Sequence, residues 1–149
     1  MKLVSSVVID RPDEEVFAVI SDFSRNPEWQ RGMRSAQWTT EPPIQVGSTY
    51  QQVARFLGRD VITAFEVIAY EPNRSVTIQS RQSSFPITVT RSVEPLGPDR
   101  SRVSAHIVGK PGRFFRLFGP LLRLLAERSV RGDYERLRGL LENRHTEAE

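Results

Sequence analysis

The sequence predicts an α+β domain: a seven-stranded antiparallel sheet, two short helices after its first strand, and a long helix at the C-terminal end. Three observations predict it. From Met33 to Val108, short β-rich runs alternate with tight Gly, Pro and Asn breaks, which is the spacing of a meander. Between Pro12 and Trp29 the apolar residues come in helical rather than alternating order. From Leu121 onward, positions 122, 124, 125, 126, 130, 134, 137, 140 and 141 are apolar at helical spacing among arginines and glutamates.

Residues 3–9 are partly β-branched, are stopped by Asp10-Arg11-Pro12, and read as the first strand. Pro12 suits a first helical turn, where its missing N–H costs nothing, and Asp13, Glu14 and Glu15 suit the positive end of a helix. With Val16, Phe17, Val19 and Ile20 as the apolar face, a short helix is expected over residues 12–21. Asp22 or Ser24 caps a second, brief one, because Asn26-Pro27 disrupts its continuation and Trp29 ends it. The pattern then becomes extended. Strands are expected over 33–40, 48–57, 61–70, 75–80, 85–93 and 102–108. Their breaks are Glu41-Pro42-Pro43, Gly58-Arg59, Glu71-Pro72-Asn73, Gln82-Ser83-Ser84 and Pro95-Leu96-Gly97-Pro98. Pro111-Gly112 ends the sheet. A turn of helix over 113–118 precedes a long helix over 119–143 with Pro120 in its first turn, and a polar tail covers 143–149. No linker or repeat divides the chain, so residues 1–149 are expected to form a single domain.

The 149-residue chain has no cysteine, which removes disulfide scaffolds, thiolate nucleophiles, zinc ribbons and iron–sulfur clusters. Its two histidines, His106 and His145, are far apart in sequence, so no metal is expected, and no tightly bound organic cofactor. No run reaches the ~18 apolar residues of a membrane span. The opening segment lacks the cleavage pattern of a signal peptide, so a soluble cytoplasmic protein is expected. Of the 21 basic residues only Lys2 and Lys110 are lysines, and neither has a pocket context for Schiff-base chemistry. Residues 113–144 hold eight arginines against four acids, a surplus of four that exceeds the +3 of the whole chain. No zinc finger, RNP motif or basic zipper accompanies this charge, so no nucleic acid partner is expected. A serine–histidine pair, a phosphate loop and a dinucleotide fingerprint are also missing.

Tight turns fix which residues share a face. A two-residue turn at Gly58-Arg59 sets Phe56 opposite Val61, Gln52 opposite Phe65 and Tyr50 opposite Val67. Pairing Tyr70 with Ser75 sets Val67 opposite Ile78. Pairing Gln82 with Phe85 sets Ser80 opposite Ile87, Ile78 opposite Val89 and Val76 opposite Arg91. One face then carries Tyr50, Gln52, Ala54, Phe56, Val61, Thr63, Phe65, Val67, Val76, Ile78, Ser80, Ile87, Val89, Arg91 and Val93, continued by Val103, Ala105 and Ile107. The other face holds Gln51, Arg55, Glu66, Thr77, Gln79 and Thr88, with Val53, Ile62 and Ile68 as exceptions. Tyr50, Gln52, Thr63, Ser80 and Arg91 are polar yet inward. Buried polar groups need partners, so they point to a ligand-lined or water-lined hollow, or to strand ends that reach solvent.

Local motifs carry a family resemblance. Ile9-Asp10-Arg11-Pro12-Asp13-Glu14-Glu15-Val16-Phe17 resembles a strand followed by "x-a-P-x-e-x-V-[FW]", and Asp22-Phe23-Ser24-Arg25-Asn26-Pro27-Glu28-Trp29 resembles "D-x-x-x-x-P-x-W". Val46-Gly47-Ser48 and Tyr70-Glu71-Pro72 match recurrent turns. In this order the motifs resemble the START/polyketide cyclase-dehydrase-like (SRPBCC, helix-grip) superfamily over residues 3–142. The resemblance implies a curved sheet wrapped around the C-terminal helix with a cavity between them. It implies fold more firmly than activity, because one scaffold can support binding, transport and catalysis.

The expected ligand-binding residues are Trp29, which the resemblance places at the cavity mouth as a stacking surface, its alternative being a hydrophobic plug at a helix end, then Tyr50, Gln52, Phe56, Thr63, Phe65, Val67, Ile78, Ser80, Ile87, Val89, Arg91 and Ala105 from the sheet. From the helix, Leu117, Leu121, Leu124, Leu125 and Arg128 are expected nearest the cavity, which should hold ~300–1,000 Å³. Phe114, Phe115 and Phe118 form a candidate lid. Arg91 suits a carboxylate or developing enolate, its alternatives being a structural pair with Glu135 or another acid, or a strand-end arginine that snorkels to solvent. Tyr50 is a candidate proton donor or a merely hydrogen-bonded phenol. His106 falls on the outer face. Arg131-Gly132-Asp133 within a helix is a coincidental adhesion tripeptide, and the Asn73-Arg74-Ser75 sequon is inert without secretion. Three functions stay open. They are a carrier of a small hydrophobic molecule of lipid, isoprenoid or polyketide type, a polyketide cyclase/dehydratase, and an adaptor touching a membrane or partner through 113–118. A monomer or homodimer is expected.

Overall fold

The structure, a computed structural model, describes residues 2–56, 58–81, 86–109 and 113–148. Among these residues one antiparallel sheet contains β1 (Lys2–Ile9), β2 (Met33–Trp38), β3 (Thr49–Phe56), β4 (Arg59–Glu71), β5 (Ser75–Arg81), β6 (Ile87–Gly97) and β7 (Arg100–Gly109). Its order is β1-β7-β6-β5-β4-β3-β2: a meander from β2 to β7, with β1 returned to the β7 edge. α1 (Asp13–Ile20) and a 3-10 turn (Phe23–Glu28) follow β1, and α2 (Arg113–Ala148) closes the chain.

Local chemistry explains the short elements. Pro12 caps α1, and its carbonyl accepts from Val16 N–H at 3.1 Å. The three acids that follow lie in the first turn, where the helix end is positive. Val16, Phe17, Val19 and Ile20 are buried, as their spacing requires. Asp22, rather than Ser24, caps the 3-10 turn, accepting from Ser24 N–H at 3.1 Å.

Val67 pairs with Ile78, Ile78 with Val89 and Val76 with Arg91, as the turns require. The β3–β4 hairpin differs: Phe56 pairs with Arg59, Ala54 with Val61, Gln52 with Thr63 and Tyr50 with Phe65. Gly58, at φ +78°, supplies the left-handed residue of the turn, and Arg59 already belongs to β4. The slip is two residues, so every side chain keeps its face. Val61, near the hairpin tip, is nevertheless exposed. Tyr70 pairs with Val76 instead of Ser75, because a bulge between Val67 and Ala69 leaves Ile68 out of step. Ile68 is exposed on the outer face, as the alternation expects, and Ala69 after the bulge is exposed beside it. The Pro95–Pro98 break is narrower than expected. β6 runs on to Gly97 through a register shift, the kind of irregularity where a strand tolerates proline, and the turn falls at Pro98-Asp99.

α2 is one helix of 36 residues. It absorbs both the expected separate turn at 113–118 and the expected polar tail, and Pro120 lies inside it rather than in its first turn. Past Pro120 no proline follows, and Gly132 and Gly139 are the costliest helix residues without being breakers, so the helix runs on to Ala148.

Two buried clusters fill the interior. One joins α1, β1, β6, β7 and the C-terminal half of α2 through Val16, Phe17, Ile20, Val93, Val103, Tyr134, Leu137 and Leu141. The other gathers Phe23, Tyr50, Phe65, Val67, Val76 and Ile78. Burying a leucine such as Leu137 contributes about 1.5–3 kcal/mol. Arg11 ties the helix end to β1, donating to the carbonyls of Leu141 at 3.2 Å and Glu142 at 2.8 Å.

Candidate ligand cavity

Strand alternation turns Arg91 inward between Val89 and Val93, opposite Val76 on β5 and Ala105 on β7. It is 3% exposed. Nη1 donates to the Ile20 carbonyl at 3.0 Å and to Asn26 Oδ1 at 2.9 Å. The guanidinium lies 4.2 Å from the ring centre of Phe23 and 4.7 Å from that of Trp29. Each such contact with a cation contributes about 0.5–2 kcal/mol. Among the described residues no carboxylate ion-pairs with Arg91, and its Nε has no hydrogen-bond partner. The charge is fixed in position, and Asp133 feels it without ion-pairing to it. The alternative pair with Glu135 does not form, since Glu135 binds Arg138 at 2.8 Å.

Arg91 borders a cavity of about 130 Å³ where the two clusters meet. This is below the expected ~300–1,000 Å³. The sheet contributes Tyr50, Gln52, Phe65, Ile78, Ile87, Val89 and Ile107. The 3-10 turn and the residues after it contribute Phe23, Asn26, Gln30 and Met33, and α2 contributes Val130, Asp133 and Tyr134. Tyr50 is stacked between Phe23 at 5.1 Å and Phe65 at 5.2 Å, and its hydroxyl donates to Gln52 Oε1 at 3.2 Å.

Electrostatics divide this lining. Burial pushes the Tyr50 phenol far above its ordinary value, against the opposing charge of Arg91. Burial also raises Tyr134, again opposed by Arg91. Both phenols are therefore neutral donors at ordinary pH. Asp133 is raised as well. Burial outweighs its hydrogen bonds from Arg31 N–H at 3.2 Å and from Arg136, and the nearby guanidinium charges. Gln30 Oε1 is buried with no partner among the described residues. The polar end thus offers a fixed cation, two neutral phenols, a carboxyl that favours its proton more than usual, and an open acceptor.

Of the expected site residues, Tyr50, Gln52, Phe65, Ile78, Ile87, Val89 and Arg91 line this cavity. Trp29 does not. It is 1% exposed, packs edge-on against Tyr134 at 5.0 Å, and serves as the floor under Arg91. Val67 and Ala105 are core residues, and Thr63 sits beyond the cavity toward the hairpin tip. Ser80 leaves the polar group because its Oγ accepts from Ile87 N–H at 2.9 Å. Leu121, Leu124, Leu125 and Arg128 are exposed instead of nearest the cavity. The inward row Val130, Tyr134, Leu137 and Leu141 sets the rotation of α2 and turns them outward. The side chains of Phe56, Leu117, Phe114, Phe115 and Phe118 lie outside the described residues. His106 is exposed on the outer face, as its alternation requires.

Sequence reasoning missed Phe23, Asn26, Gln30 and Met33, and from the helix Val130, Asp133 and Tyr134. The helical residues had a signal. Positions 130, 134, 137 and 141 mark a single face, and Asp133 adjoins it. Two larger hollows lie elsewhere: one of about 200 Å³ beside Trp38 and Pro43, about as enclosed as the first, and one of about 630 Å³ between Asp10 and Arg100 that is more open to the surface. Among the described residues no cluster of three His, Cys, Asp or Glu side chains could hold a metal. Among them, too, no helix is long and apolar enough to cross a membrane.

Comparison with solved structures gives the same architecture throughout. A protein of Thermus thermophilus is 16% identical with a TM-score of 0.81, over 96% of this chain and 98% of that one. A START superfamily protein from Mycobacterium smegmatis is 18% identical with a TM-score of 0.78, over 95% and 97%. The Zhui aromatase/cyclase of Streptomyces sp. R1128 is 13% identical with a TM-score of 0.80, over 97% and 94%. At these identities the likeness is one of fold, a curled sheet and C-terminal helix in the helix-grip arrangement. No curated protein matches in sequence. The family model described as polyketide cyclase/dehydrase and lipid transport matches residues 1–143, and the chain belongs to that family.

Proposed function

We propose that the chain binds a small hydrophobic molecule with an anionic or enolic head, the head meeting Arg91 and the apolar body lying against Phe65, Ile78 and Val89. One observation carries this reading: a guanidinium buried on the cavity wall with an unpartnered Nε and no carboxylate ion-paired to it among the described residues. Breaking a buried pair of charged groups costs more than losing an exposed one, so a matching anion gains affinity there. The aromatic lining of Phe23, Tyr50 and Phe65 favours a flat ring next to the head.

The test uses 3-phenylpropanoate and its neutral amide as calorimetric probes. In Arg91→Met, affinity for the carboxylate should fall by about 2–5 kcal/mol while the amide loses much less. Equal binding of the carboxylate by a folded variant sinks the reading. Because Arg91 also holds Ile20 and Asn26, Arg91→Lys is the companion. It keeps the charge without the planar fork and should bind the carboxylate more weakly than the parent.

A cyclase/dehydratase reading is favoured by one further observation: Asp133, with its raised carboxyl, borders the same cavity as Arg91 and the two neutral phenols. Such a set could move a proton while Arg91 stabilises an enolate. Native mass spectrometry of protein purified without detergent separates the readings. A retained, unaltered ligand supports carriage, and conversion of an added poly-β-keto thioester supports catalysis.

A further inference from the structure

We infer that the outer face of α2, from Leu121 to Arg131, docks on an anionic lipid surface. At roughly 100° per residue, Leu121, Leu124, Leu125 and Arg128 fall within about 100° of one another on the helix, and Arg131 flanks them. Val130, Tyr134, Leu137 and Leu141 fall on the opposite side, and that side meets the core. The N-terminal half keeps the same rotation, because Arg123 donates to the Lys2 carbonyl on β1 at 3.4 Å. The leucine stripe therefore points away from the sheet, with Leu121 59%, Leu124 50% and Leu125 53% exposed. Leucine makes a poor solvated surface, and three in adjacent turns form a continuous patch.

Charge selects the occupant. Arg128 and Arg131 are exposed, and neither ion-pairs with an acid among the described residues. Glu127 is paired with Arg123 at 3.1 Å and Glu135 with Arg138 at 2.8 Å, so nearby acids are already engaged. Between Arg113 and Arg128 the sequence holds four arginines and one acid. Apolar residues beside unpaired arginines suit the boundary between acyl chains and anionic headgroups, where the leucines enter and the guanidiniums reach phosphate. A second copy of the chain would set the same positive stripe against itself. The inference does not depend on what the cavity holds.

The experiment is co-sedimentation of the full chain with vesicles of phosphatidylcholine alone or mixed with phosphatidylglycerol, at low and high salt. Binding should need the anionic lipid and fall with salt. Replacing Arg128 or Arg131 by Gln should weaken it about fivefold each. The double variant Leu124→Ser, Leu125→Ser should weaken it about tenfold or more. All four residues are exposed, so unfolding curves should stay unchanged. Failure to bind mixed vesicles overturns the inference, as does binding indifferent to the leucines or equal on the neutral vesicles. A dimer at micromolar concentration that Leu124→Asp converts to monomer would also overturn it, in favour of a second copy.

Discussion

Asn26 accepts a hydrogen bond from Arg91 Nη1 at 2.9 Å and so joins the middle of the sheet to the 3-10 turn that follows α1. Both residues are buried, at 1% and 3% exposure. Asn26→Ala leaves a guanidinium N–H without its acceptor and should lower stability by about 1.5–3 kcal/mol in urea unfolding. Asn26→Asp supplies a carboxylate to the same atom. It should keep the fold but weaken binding of 3-phenylpropanoate at least tenfold, since Arg91 is then ion-paired from within. Unchanged carboxylate binding in that variant would separate the ligand from Arg91.

The raised carboxyl of Asp133 has a definite sign in pH dependence. The folded chain holds this proton over a range where the unfolded chain has released it. Its contribution is therefore most favourable below the ordinary carboxylate value and is lost as pH rises through the raised one. Asp133→Asn keeps an acceptor for Arg31 N–H but cannot ionise. Its stability relative to the parent should improve between about pH 4 and about pH 7. Denaturation curves at the two pH values check this, and a constant difference would place Asp133 in a more solvated setting.

Gly58 and Gly97 both sit near hairpin turns with open space where a Cβ would go, but only Gly58 has a positive φ, +78°. Gly58→Ala should cost about 1–2 kcal/mol from backbone strain alone. Gly97→Ala should change stability by less than about 0.5 kcal/mol. Thermal melts of the pair distinguish backbone strain from general loop sensitivity.

Leu137 and Leu121 test the rotation of α2. Leu137 is fully buried, so Leu137→Ala should cost about 2–5 kcal/mol. Leu121→Ala should stay within about 0.5 kcal/mol. Comparable losses would mean that Leu121 packs against the body of the protein.

The architecture was legible because its signals are local. Proline after β1, alternation along the strands and the helical apolar spacing of the C-terminal segment each report on a few neighbouring residues. Face assignment survived even where pairing did not: the β3–β4 slip of two residues moved partners without turning Tyr50 or Phe65 outward. The bulge at Ile68 and the passage of β6 through Pro95 were not legible, since each depends on a partner strand. The candidate site was legible only on its sheet side. Arg91 followed from alternation, while Asn26 and Gln30 lie in an irregular stretch with no periodicity to orient them. The leucines of α2 misled because apolar spacing was counted over the whole helix. Its inward row begins at Val130, and the residues before it have a different environment.

Lys2 lies opposite Val108, and Ile9 opposite Ser101, so β1 leaves the ribosome long before its sheet neighbour. At ordinary rates of synthesis about 100 residues separate them by roughly 5–20 s. Phe23, Tyr50, Phe65, Val67, Val76 and Ile78 will by then have emerged together and can begin to cluster. The other cluster needs Val7 and Ile9 from β1 and Val103, Leu137 and Leu141 from β7 and α2. Until β7 has emerged, β1 and one edge of β6 have no partner in the sheet. Closing that long loop is a non-local contact of the kind that slows folding, a cost set by the topology itself.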